Sequence, residues 1–205
     1  VSGLYRFDSG LNYGAIDMWL GNEYGGKISS GYGYSMNAEL EAGKTYILKV
    51  EYTRNPLDYT IQIGVPNPVT DITGQPSVSG SFTYGGQKNV YTYTAALSGV
   101  HLFDSGKMFG ALDMDVCNAQ GERISVGSVS AQARLEAGKT YTLVVKEHSN
   151  LIDYTIQIYT PQPLYVITGV SEASGTLTYI CQEDQYMYTA PADGTYTFKS
   201  ESGVK

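Results

Sequence analysis

Internal duplication constrains this chain more than any other feature. Leu40-Glu-Ala-Gly-Lys-Thr-Tyr46 returns as Leu135-Glu-Ala-Gly-Lys-Thr-Tyr141, and Asp58-Tyr-Thr-Ile-Gln-Ile63 returns unchanged as Asp153-Tyr-Thr-Ile-Gln-Ile158. Phe7-Asp-Ser-Gly10 recurs as Phe103-Asp-Ser-Gly106, and Ile72-Thr-Gly74 as Ile167-Thr-Gly169. The spacing is about 95 residues throughout, the mark of one structural unit copied in tandem. A third copy opens near the end, where Gly175–Tyr179 matches Gly80–Tyr84 and Tyr186–Ala190 matches Tyr91–Ala95. The expected organisation is therefore a first repeat over 1–75 that lacks its opening strands, a complete second repeat over 76–171, and the opening strands of a third over 172–205. Gly64-Val-Pro-Asn-Pro-Val69 and Thr160-Pro-Gln-Pro-Leu164 lie between units. Paired prolines cannot continue a hydrogen-bonded ladder, so these segments are expected to be short, stiff connectors.

Within the complete repeat the apolar residues alternate with period two. Tyr141, Leu143 and Val145 share one face, as do Leu112, Met114 and Val116, and Tyr154, Ile156 and Ile158. The intervening positions are Thr, Asp and Gln. One dry and one wet face mark an antiparallel sheet packed on another sheet. Eight strands are expected, over Ser79–Tyr84, Asn89–Ala95, Val100–Ser105, Ala111–Cys117, Glu122–Val126, Ser130–Glu136, Lys139–Glu147 and Asp153–Thr160. Charged residues are only 16% of the chain, against 24 glycines and 19 tyrosines, a balance that disfavours long helices with a charged outer face. The predicted fold class is all-β: tandem antiparallel β-sandwiches of jelly-roll or Greek-key type.

The frame Tyr91-Thr-Tyr-Thr-Ala95, its copy Tyr186-Met-Tyr-Thr-Ala-Pro-Ala-Asp-Gly-Thr-Tyr-Thr-Phe198, and the strand Leu135-Glu-Ala-Gly-Lys-Thr-Tyr-Thr-Leu-Val-Val145 resemble the bacterial pre-peptidase C-terminal domain. The resemblance runs over the whole repeat in outline. It implies a small sandwich appended to secreted enzymes and surface proteins, and no catalytic residue of its own.

The formal net charge is −7, and no basic patch interrupts it. Phosphate binding needs concentrated Lys and Arg, so nucleic acid is not an expected partner. No run of 18 or more apolar residues is present, so no membrane span is expected. Calcium prefers several oxygens from short loops, which makes the recurring carboxylates Asp8, Asp17, Asp104 and Asp113, with Asp115, the candidate ligands; otherwise no cofactor is expected. The commoner role for such carboxylates is a solvated strand face. Trp19, Tyr24, Tyr32 and Tyr34 are candidates for stacking on a sugar ring, although the second repeat has Asp115 and Gln120 in place of Trp19 and Tyr24. The alternative role of these aromatics is cross-strand packing. His101 stands where other repeats carry Tyr5 and Tyr196, and neither it nor His148 has a recognisable nucleophile partner, so the chain is not expected to be an enzyme. Cys117 and Cys181 leave two readings open, a disulfide or two isolated thiols.

What repeats is turn glycine, core aromatic and connector proline, the residues that build and space sandwiches. The expectation is an extracellular or cell-surface protein acting as stalk, fibre subunit or adhesin scaffold. The alternatives are a module binding a glycan or host matrix protein, and accessory domains of a secreted hydrolase. Self-association is expected through the third repeat, where Gly175, Leu177, Tyr179, Tyr186, Tyr188, Tyr196 and Phe198 would complete the first repeat of a neighbouring chain.

Overall fold

The computed structural model describes residues 1–11, 16–31, 34–52, 56–108, 110–147 and 151–200. Alternation of apolar and polar side chains produces strands wherever it occurs, and no helix is found among the described residues. None is therefore long and apolar enough to cross a membrane.

The first repeat contains β1 (Gly3–Asp8), β2 (Ile16–Asn22), β3 (Lys27–Gly31), β4 (Ser35–Leu40), β5 (Tyr46–Tyr52) and β6 (Gln62–Gly64). The second contains β8 (Ser77–Ser81), β9 (Lys88–Thr94), β10 (Gly99–Asp104), β11 (Leu112–Cys117), β12 (Arg123–Ser128), β13 (Ser130–Leu135), β14 (Thr140–Glu147) and β15 (Asp153–Tyr159), together with β7 (Thr70–Asp71), which precedes the boundary expected at 75/76 but pairs with β9. Two short strands follow, β16 (Tyr165–Val166) and β17 (Tyr186–Met187).

In the second repeat two sheets face one another, with orders β13-β10-β15-β8 and β12-β11-β14-β9-β7. Antiparallel pairing dominates, and the short β7 runs parallel to β9. The inward positions Tyr91, Tyr93, Phe103, Leu112, Met114, Val116, Leu143, Val145, Tyr154 and Ile156 form one buried core. Truncating a core leucine such as Leu143 would cost about 2–5 kcal/mol, from lost transfer energy and the cavity left behind. All eight expected strands are present. The first ends earlier than expected, at Ser81 rather than Tyr84. Gln87 explains this: its Oε1 accepts from the Thr83 amide (2.7 Å) and hydroxyl (3.2 Å), which folds 82–87 into a turn.

The first repeat has the same neighbours less the opening strands, with orders β4-β1-β6 and β3-β2-β5. Phe7, Ile16, Met18, Leu20, Met36, Ala38 and Leu40 make its core. The Glu-Ala-Gly-Lys turns are as the sequence predicts: Gly43 and Gly138 have φ of 79° and 76°, a region that favours glycine. Both cysteines are free, with Cys117 buried and Cys181 exposed. The disulfide reading is thereby set aside.

The connectors are tied down. Gly3 and Gly99, at φ 143° and 141°, open β1 and β10. A Cβ on either would lie about 3 Å from the ring of a connector proline, Pro66 or Pro161. Glycine lets the proline lie flat on the sheet it has just left.

Candidate functional site

The carboxylates do not assemble a metal site; no group of three or more His, Cys, Asp or Glu suited to an ion occurs among the described residues. Asp8 and Asp104 do the same local work, each accepting the amide two residues on (Gly10 and Gly106, 2.9 Å). Asp8 also pairs with Arg6 at 2.9 Å. Asp17 lies in register with Glu51. Asp104 belongs to one sheet of the second repeat, and Asp113 and Asp115 to the other. Asp113 lies in register with Ser128 and Lys146. Asp115 is buried, paired with Lys146 and 3.9 Å from Arg123.

The candidate sugar platform is likewise dispersed. Trp19 leans on Gly21, where a Cβ would meet its ring at 2.9 Å, and Lys49 Nζ sits 5.6 Å from its centroid. Tyr24 precedes β3 and Tyr34 follows it, so the strand separates them. Tyr32 and His148 lie outside the described residues. His101 is in the core, its Nδ1 3.3 Å from the Gly99 carbonyl and its ring edge-on to Tyr93.

The geometry that does recur is between repeats. Tyr84, in the turn opening the second repeat, donates its hydroxyl to the Leu4 carbonyl of the first (2.7 Å). Its ring covers Gly64, where a Cβ would lie 2.5 Å away. One period later Tyr179 donates to the Val100 carbonyl (3.0 Å) and tilts over Tyr159, with ring centroids 5.4 Å apart. Burial raises the pKa of both phenols, so they remain hydroxyl donors at neutral pH. Ion pairs flank the latches, Lys88–Glu39 (3.1 Å) and Arg134–Glu183 (2.6 Å). Gln132 adds a bond from its Nε2 to the Ile180 carbonyl (2.9 Å). Sequence reasoning singled out Tyr179 only for contact between chains and passed over the charged residues, yet a signal was there: positions 39 and 134 differ in charge sign, and so do 88 and 183.

The third repeat carries half of a core. Tyr188 packs edge-on to Tyr196 (5.5 Å) and Phe198 (5.4 Å), as Tyr93 does to His101 (5.6 Å) and Phe103 (5.4 Å). Phe198 is 69% exposed where Phe103 is 1% exposed, and Leu177 is 65% exposed where Phe82 is 3% exposed. Tyr186 and Tyr196 are exposed as well. The polar scaffold is also copied. Gln182 Oε1 accepts from the Thr178 amide (2.7 Å) and its Nε2 reaches Asp184 (2.9 Å), as Gln87 reaches Thr83 and Asn89. In the second repeat this scaffold continues to Tyr154: Asn89 Nδ2 donates to Tyr154 Oη (2.6 Å), which lies 2.9 Å from Tyr91 Oη. Close beneath, Gly80 leaves no room for a Cβ. The Tyr154 counterpart in the first repeat is Tyr59, which is exposed.

No family model matches the chain, and no curated protein matches it. Among solved structures it is similar to PliG of Aeromonas hydrophila, a periplasmic inhibitor of g-type lysozyme. Identity there is 19% over 44% of this chain and 97% of that one, with a TM-score of 0.34. It is similar to the pre-peptidase C-terminal domain of a collagenase from Bacillus anthracis, with 15% identity, coverage of 47% and 99%, and a TM-score of 0.37. Salmonella Typhimurium PliG gives 14% identity, coverage of 45% and 97%, and a TM-score of 0.30. The second of these is a domain of the type the repeat resembles in sequence. The sandwich architecture itself stands on the strand pairing described above.

Proposed function

We propose that this chain is a non-catalytic extracellular scaffold, a stack of sandwiches whose role is to set length and spacing in a stalk, fibre or adhesin. The observation that carries the reading is the repeated junction: a tyrosine hydroxyl on the preceding repeat's β1 or its copy β10, a proline on that strand's opening glycine, and an ion pair alongside, made twice at the same relative positions. The candidate chemistry is not made twice. Trp19 becomes Asp115, while the latch tyrosine stays tyrosine. Small-angle scattering of the whole chain tests this. A fixed, elongated particle is expected, with an unchanged maximum dimension in a Glu23→Ala control, an exposed residue away from both junctions, and a flexible particle in Tyr84→Phe/Tyr179→Ala. Repeats that reorient freely in the parent chain would overturn the reading.

A second reading concerns assembly and rests on the exposed half-core. The opening strands of the third repeat and the bare edges of β5 and β6 are the two halves of what β8, β9, β14 and β15 make in one unit. We propose that a second copy joins them head to tail, placing Tyr59 of one chain on Asp184 and Tyr186 of another. Residues 194–200, copies of a strand the first repeat already has, would be displaced. Particle mass that grows with concentration, and stops growing when 174–200 is deleted, is the expected result; a concentration-independent monomer would sink this reading alone.

A further inference from the structure

The two junctions share a latch but not a charge. At the first, Glu39 on β4 meets Lys88 at the head of β9; at the second, the same two positions hold Arg134 and Glu183. Both partners have changed sign together, so attraction survives at each junction. The tyrosine, the carbonyl it reaches and the proline on glycine are common to both, while the residue under the ring differs, Gly64 at the first and Tyr159 at the second. A hairpin from the wrong repeat would find this latch waiting for it.

We infer that the ion pair is a key that fixes the order of repeats: the β1–β4 face of a unit accepts an opening hairpin of opposite charge and rejects one of the same sign. The inference rests on the array reading above. On the Glu39 face the Lys88 hairpin is matched, whereas the Glu183 hairpin would set carboxylate against carboxylate. On the Arg134 face the preferences reverse. Neighbouring repeats of similar sequence and fold are prone to mispairing during folding, and discriminating between them needs a repulsive element as well as an attractive one. Both pairs are substantially exposed, with side-chain exposures of 44% and 60% for Lys88 and Glu39, and 62% and 46% for Arg134 and Glu183. Each therefore adds little absolute stability; what matters is the difference between matched and mismatched docking.

The partner this surface fits is thus another unit of the same kind with the opposite sign at one position. Hydrogen–deuterium exchange on the full chain tests it, read at the connector peptides 64–70 and 159–165. Glu39→Arg sets two cations together at the first junction. Exchange at 64–70 is expected to rise about three- to tenfold at low salt, with 159–165 unchanged as internal control. Lys88→Glu should do the same, and the connector readout matters there because Lys88 also faces Lys146 across the ladder. The double variant Glu39→Arg/Lys88→Glu should return to within about twofold of the parent, and 1 M salt should shrink all the differences. A double variant as fast as the singles, or singles no faster than the parent, would overturn the key. The particle dimension from scattering separates the two ideas: a rod that persists in such variants leaves the scaffold standing without the key.

Discussion

His101 is an imidazole inside an apolar core, with one nitrogen near the Gly99 carbonyl and the other, Nε2, lacking any partner. Burial pushes its pKa below the ordinary 6.5, only partly opposed by the Gly99 hydrogen bond. The folded state therefore holds the neutral ring, while an unfolded chain takes up a proton near pH 6.5. Stability is full above that value and falls as pH drops from 6.5 toward the lowered folded pKa, by at most about 1.4 kcal/mol per pH unit for one proton. The melting temperature should decline between pH 7.5 and 5.5. His101→Tyr, which installs the residue that the other repeats carry, should flatten that slope whatever it does to absolute stability. An unchanged slope would place the titration elsewhere. Single residues were the least legible scale in the sequence. Asp8 and Asp104 read as oxygen ligands, but each serves its own turn, because a short carboxylate beside a free amide bonds locally before it can reach a distant ion. Asp115 read as a wet strand position, yet Lys146 and Arg123 close over it. The junction charges were visible as letters, but nothing in one strand's pattern says that two distant strands meet.

Asp58-Tyr-Thr-Ile-Gln-Ile63 and Asp153-Tyr-Thr-Ile-Gln-Ile158 are one sequence in two conformations. The second copy lies entirely within β15, between β10 and β8. The first joins a strand only from Gln62, where β6 pairs with β1 and, among the described residues, with nothing on its other side. Tyr59 is 52% exposed and Tyr154 only 2%. Local propensity is identical, so the difference is wholly tertiary: strand structure here depends on cross-strand partners and burial. In dilute, dissociated protein, amide exchange at Thr155–Ile158 is expected to be slower than at Thr60–Ile63 by about a hundredfold or more, with intrinsic rates matched by identity of sequence. On the head-to-tail reading the gap closes as concentration rises and the first copy acquires a neighbour; a gap that ignores concentration would count against that reading. Elements were the most legible scale, because alternation reports a pleat directly. Eight of the nine strands of the second repeat could be read from it, the short β7 excepted, while the six letters of the first copy promised a strand that context withholds.

The whole molecule was legible as repetition, and the paired prolines announced connectors; how the units touch was not, since a tyrosine that leaves its own sheet for a neighbour's carbonyl looks like any other core aromatic. The order of strands has a mechanical consequence. In the second repeat the first long strand, β8, lies beside the last, β15, and runs antiparallel to it, with Ser77 opposite Gln157. Both exits of the unit are therefore at the same end of one ladder. A pulling force applied through the chain would load that ladder like a zipper, one bond at a time, after the short β7–β9 clamp gives way. Single-molecule stretching should release the unit at low force, with a contour gain of about 310–340 Å for its roughly 95 residues. High-force rupture would mean that the junctions, and not the ladder, bear the tension. In the proposed scaffold, units so arranged would be held against bending by their latches yet yield under tension one by one, as a shock absorber does.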